Sequence, residues 1–137
     1  MDSKMMKSRT KKFAIDVLKL CASLPKTSEF RALRNQLVRS GTSPGANYRA
    51  ACRAKSTADF INKMKIVEEE TDESQYWLEL IVAMDESYRK QVTPLWKEAD
   101  QILAMVVTSI KRSRDKLKQE KNRKLKDDKD KNKDREK

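Results

Sequence analysis

From Phe13 to Ile110 apolar residues recur at steps of three and four, and only two Gly and three Pro stand anywhere in the 137 residues to interrupt them. That spacing follows one face of an α-helix and not the alternation of a half-buried strand. A sandwich or barrel needs a turn about every 8–12 residues, with Gly and Pro to build them. The chain is therefore restricted to an all-α fold.

Four helices are predicted. The first runs from about Ser8 to Leu24 with Phe13, Ala14, Val17, Leu18, Cys21 and Leu24 on its apolar face, and Pro25 ends it. The second starts at an N-cap, Ser28, and carries Phe30, Leu33, Leu37 and Val38. At Gly41-Thr42-Ser43-Pro44-Gly45 it is expected to end and restart, with Ser43 as N-cap and Pro44 in the new first turn, giving one kinked element to about Lys55. Ser56 caps the third, with Asp59 supporting its first turn; Phe60, Ile61, Met64, Val67, Tyr76, Trp77, Leu78, Leu80, Ile81 and Met84 follow. The fourth opens at Thr93-Pro94 and continues through Leu95, Ala99, Ile102, Leu103, Val106 and Ile110. One strong stripe per helix and short connections predict an antiparallel up-down four-helix bundle over residues 1–110. Residues 111–137 form a basic, charge-rich tail with too little apolar surface for a core, expected to be disordered or to extend helix four.

In the later helices the stripe is wider than one core requires: Leu80, Ile81, Val82 and Met84 stand together, and Val107 stands beside Val106. A helix apolar on more than one side is buried on more than one side. This predicts a homo-oligomer with Trp77, Ile81, Val82 and Val107 at the interface; a tightly packed monomer core is the alternative.

Much chemistry is excluded. The chain has no His, so it lacks an imidazole base and His metal ligands. Glu69 and Glu73 share a helix face, but a di-iron bundle also needs Glu-x-x-His. Ser43 lacks an oxyanion hole and an orienting group, and no glycine-rich phosphate loop occurs. The expectation is a protein that is not an enzyme and needs no metal or cofactor. No export signal or membrane-length apolar run is visible, so Cys21 and Cys52 are read as reduced thiols in a cytoplasmic protein.

What remains is charge. Lys and Arg exceed Asp and Glu by 11, and residues 111–137 hold 14 basic against seven acidic residues. From Phe30 to Ala58 there is no acid at all, while Arg31, Arg34, Arg39, Arg49, Arg53 and Lys55 occur. Arginine forks match phosphate oxygens, so these six, with Lys111, Arg112 and Arg114 after the bundle, are the candidate nucleic-acid contacts. Alternatively the helix-two arginines pair with Glu68, Glu69, Glu70, Asp72 and Glu73, and the tail is either a polyanion binder or a solubility brush. The leading function is non-catalytic binding of RNA or DNA, with presentation of the nucleic acid to an enzyme partner. The competing one is a protein–protein scaffold whose basic surface meets an acidic protein.

One block carries a resemblance. Gln36-Leu37, Arg39-Ser40-Gly41-Thr42-Ser43, Ala46-Asn47, Asp59-Phe60-Ile61 and Tyr76-Trp77-Leu78-Glu79-Leu80 resemble, in order and spacing, the four-helix-bundle proteins encoded in intervening sequences of bacterial large-subunit ribosomal RNA genes. That family is related to the accessory variability protein of diversity-generating retroelements. The resemblance covers roughly Arg9 to Ile110; Pro44 and Ala50 depart from its usual aliphatic and Glu. It implies a bacterial, cytoplasmic protomer assembling as a homopentamer. For the retroelement relatives it also implies a basic surface that binds nucleic acid and a reverse transcriptase.

Overall fold

Asp2 starts the first helix: its carboxylate accepts a hydrogen bond from the Lys4 N–H at 2.9 Å, and α1 runs Ser3–Ser23. The structure is a computed structural model describing residues 2–136. α1 begins a full turn before the expected Ser8, because Met6 lies one heptad before Phe13 and is as deeply buried.

Thr27, not Ser28, caps α2 (Ser28–Ala51), accepting from the Phe30 N–H at 3.3 Å. The expected end and restart at Gly41–Gly45 does not occur: the helix is continuous, and Pro44 is buried inside it. Ser43 is no N-cap; its hydroxyl and carbonyl instead take the Asn47 amide at 2.8 and 3.0 Å. A proline inside a helix costs about 3 kcal/mol. Close packing on α1 offsets it here, since Gly41 faces Val17 and Gly45 faces Thr10.

The two glycines should respond oppositely to substitution. A Cβ on Gly41 would lie 2.7 Å from Val17 Cγ1, on a branched side chain that is itself fully buried. Gly41→Ala is expected to destabilise by about 1 kcal/mol, overpacking outweighing the gain in helix propensity. At Gly45 the nearest atom is 3.4 Å away, so Gly45→Ala should stabilise by about 0.5–1 kcal/mol. Urea unfolding of the two variants checks both signs.

α3 (Thr57–Met84) starts as the sequence predicts. Ser56 Oγ accepts from the Asp59 N–H at 3.1 Å, and the Asp59 carboxylate accepts from the Lys55 N–H at 3.2 Å. Small polar residues line its contact with α2, where the buried Ser40 and Ser74 hydroxyls lie 3.0 Å apart. Asp85 then caps a single 3₁₀ turn, Glu86–Tyr88, that leads directly into α4 (Arg89–Glu136). The expected start at Thr93-Pro94 is therefore wrong. Both lie inside the helix, with the Thr93 hydroxyl donating to the Arg89 carbonyl at 2.8 Å, because the Asp85 cap nucleates it earlier.

α2 packs against α1 and α3, and α4 packs against α3 and α1. The described residues contain four α-helices and no strand. Phe13, Val17, Leu37, Met64, Val67, Leu78, Ile81, Ile102 and Val106 fill the space between the helices. Leu18, Tyr76 and Met84, expected on apolar faces, are exposed, because each sits at the edge of its stripe. α4 does not stop at Ile110. Beyond Leu117, which still packs on the core, every described residue is exposed. Lys, Arg, Gln and Leu favour helix, and pairs such as Lys116–Glu120 at 3.9 Å suit a solvated one.

Candidate nucleic-acid interface

The candidate cations separate into three groups. The first is committed to the fold. Arg34 reaches back to the end of α1, where its Nε donates to the Cys21 carbonyl at 3.1 Å and its Nη2 to the Leu24 and Pro25 carbonyls at 3.2 and 2.8 Å. A helix C-terminus leaves its last carbonyls short of N–H partners, and of these three only that of Cys21 is also met by a backbone N–H, from Leu24 at 3.3 Å. Arg39 pairs with Glu70 at 2.8 Å and with Glu73. The Arg39 guanidinium holds the Glu73 carboxyl below its usual range, helped by the Trp77 indole N–H donating at 3.2 Å. Neither arginine is available to a phosphate as the acid-free run suggested. The pairing with the α3 acids is made within one chain.

The second group is scattered. Arg31 is exposed near the start of α2, about 27 Å along the helix axis from Arg49. Lys111 and Arg114 line a shallow groove beside α3 together with Glu68 and Asp115.

The third group converges. α2 ends at Ala51 with Cys52 as its cap, so Arg49 sits in the last helical turn and Arg53 in the turn that follows. The two do not share a helix face as their spacing suggests, because the Arg53 N–H bonds the Ala50 carbonyl at 3.1 Å in a tighter turn. Lys55 follows, with its backbone N–H held by Asp59. All three side chains are exposed, and none forms an ion pair among the described residues. Facing this turn, α4 presents Arg112 and Lys116. Lys116 is not among the cations the sequence points to, although it lies one helical turn beyond Arg112. It is loosely held by Glu120, which also accepts from the Thr57 hydroxyl at 3.4 Å.

Between turn and helix lies a groove of about 720 Å³. Its floor includes Tyr48, Phe60 and Met105, and its sides carry the hydroxyls of Ser3, Thr108, Ser109 and Ser113. A second recess, with Lys55, Ser56 and Thr57, shares Cys52, Phe60, Ser113 and Lys116 with it. No acidic side chain lines either. Burial pushes the Tyr48 phenol well above its ordinary range, and the neighbouring Cys52 thiol adds to the shift, so the ring stays neutral.

The residues predicted for an oligomer interface are also divided. Ile81 is fully buried in the chain's own core and does not reach an outer face; a helix position central to one contact cannot serve a second. Trp77 and Val82 are half-buried against that core, and Val107 is 46% exposed. Ile66, Trp77, Leu80 and Met84, all at least partly exposed, follow one side of α3 at helical spacing. The described residues hold no helix long and apolar enough to cross a membrane, and no group of three or more metal-ligating side chains.

A family model described as the 23S rRNA-intervening sequence protein matches residues 3–108. Among solved structures, the chain is similar to a protein of unknown function from the S23 ribosomal protein family of Bacteroides thetaiotaomicron VPI-5482. The two are 34% identical with a TM-score of 0.74, over 81% of this chain and 99% of that one. No curated protein matches.

Proposed function

The chain belongs to the 23S rRNA-intervening sequence protein family, and on that premise we propose that it is a non-catalytic RNA-binding accessory protein of the cytoplasm. The single observation that carries this reading is that Lys55, Arg112 and Lys116 line two adjoining grooves that no acid lines, beside the end of α2 where Arg49 and Arg53 are exposed. Five cations without strong partners form a phosphate track, and counterion release then makes affinity steeply salt-dependent. DNA would be held by the same backbone contacts.

The protomer is read as an antiparallel up-down bundle, residues 1–110, with α4 extended beyond it. The Arg9–Glu98 contact between α1 and α4, and the Tyr88 hydroxyl donating from the turn before α4 to the Ser23 carbonyl at the end of α1, support that topology. The partly exposed apolar line on α3 and exposed Val107 support a homo-oligomer, and the family resemblance favours a pentamer. A ring would repeat the basic end and add avidity. It would also supply a surface on which a partner such as a reverse transcriptase receives the bound strand. The scaffold reading is favoured by a different feature, a groove of about 480 Å³ at the α3–α4 turn lined by Val82, Val92 and Trp96, which would suit a protein contact.

The test is fluorescence anisotropy with a hairpin RNA and a DNA duplex over a salt series. Replacing both Arg49 and Arg53 by Ala is expected to weaken binding about 30-fold at about 0.1 M salt and to flatten the salt slope. The mass by light scattering should stay unchanged. Loss of assembly in the double variant would make both arginines structural. Undiminished binding would remove the turn from the interface.

A further inference from the structure

We infer that the groove between the α2–α3 turn and α4 takes one unpaired, unstacked nucleotide, so that the RNA recognised contains a bulge, loop or single-stranded step. The inference rests on the RNA-binding reading and narrows its substrate class.

A track that only neutralises a duplex needs exposed cations and no recess. This site has both. The groove's volume, about 720 Å³, falls within the roughly 300–1,000 Å³ range of small-ligand pockets. Phe60 and Met105, both partly exposed, and the edge of the buried Tyr48 supply an apolar surface. Ser109 and Ser113 set hydroxyls around it that can donate to or accept from a base edge, and Thr108, whose hydroxyl donates to the Ala104 carbonyl at 3.0 Å, can still accept. Arg112 and Lys116 line the same groove and Lys55 the recess that adjoins it, so that they can meet the phosphates on either side of whatever enters. An apolar floor inside a cationic, hydroxyl-bearing rim matches a nucleotide, which joins a flat π-face to a phosphate. In duplex RNA that face is hidden in the stack, so only an unpaired base can reach the floor.

The groove carries its own reporter. Cys52 lies in it and is exposed, whereas Cys21 is buried with its thiol pushed up to about 11 by that burial, so maleimide labels Cys52 first. The probes are an RNA duplex, the same duplex with one bulged adenosine, and the same bulge made abasic.

With the full chain, the bulged duplex is expected to bind about tenfold more tightly than the plain duplex, and the abasic bulge to lose that gain. Only the bulged probe should slow Cys52 labelling. Ala104→Trp, at an exposed helical position on the groove wall, should abolish the preference while leaving affinity for the plain duplex unchanged. Equal affinity for all three probes, with unprotected Cys52, would overturn the inference and leave RNA binding by the basic end intact. Absence of binding to every probe would overturn the RNA-binding reading itself. Cys52 protection needs no variant, so a misfolded tryptophan variant would not rescue the inference from a negative result.

Discussion

A chain ending at Lys126 is expected to bind RNA as tightly as the full chain, and one ending at Ile110 about 100-fold more weakly at about 0.1 M salt. The asymmetry comes from where the charge lies along α4. Residues 111–126 hold nine basic and two acidic side chains, whereas 127–137 hold five of each. All the excess of the C-terminal segment therefore sits in the turns nearest the α2–α3 turn, among them Arg112 and Lys116. Every phosphate that loses its cation lowers the slope of log K against log salt by about 0.7–0.9. Three such phosphates thus cost about 100-fold in affinity and flatten the slope by roughly two to three. Neither truncation enters the buried core, which ends at Ile110, although the shorter chain lacks the partly buried Leu117. Thermal melting of both chains separates that change in packing from the weaker hold on phosphate. If the chain ending at Lys126 weakens as much as the shorter one, the distal turns touch RNA despite their neutral balance. If neither weakens, the bundle end binds alone and α4 is a solvated extension.

The helical class is legible because every core helix repeats its apolar residues at one period, and that period survives any error in boundaries. Phe13, Val17, Leu37, Met64, Leu78, Ile102 and Val106 are buried on the predicted faces. Boundaries are less legible where a residue's local preference competes with tertiary packing. Pro44 and Gly45 look like a restart, yet close approach to Thr10 and Val17 keeps α2 intact. Pro94 looks like a first-turn residue, yet the Asp85 cap begins α4 earlier.

The candidate site is legible as composition and not as geometry. A run without acids shows which residues lack a local partner, but Arg39 finds Glu70 and Glu73 on a helix more than 30 residues away. Arg49 and Arg53 owe their availability to a helix end that their spacing does not reveal. Lys116 joins Arg112 at the candidate site because α4 continues as helix past Ile110, and the charge of the segment by itself does not say which of its cations face the α2–α3 turn.

Arg34 gives the sharpest separation between charge that binds and charge that folds. Arg34→Ala is expected to lower stability by roughly 2 kcal/mol, which is about 5–10 °C in Tm, while leaving RNA affinity unchanged below the transition. Its guanidinium donates to three carbonyls, those of Cys21, Leu24 and Pro25, at the end of α1, where the chain turns toward α2. Pro25 supplies no N–H, and only the Leu24 N–H reaches back, to the Cys21 carbonyl at 3.3 Å. Removing the guanidinium leaves partly buried acceptors to be met by water, and charged hydrogen bonds are the more costly ones to lose. Lys at this position would restore the charge but not the fork, so Arg34→Lys should recover only part of the loss. An Arg34→Ala chain that melts normally yet binds RNA weakly would return Arg34 to the interface and place the phosphate track along α2. Reduced stability with intact binding would confine recognition to the opposite end of that helix, where Arg49 and Arg53 stand.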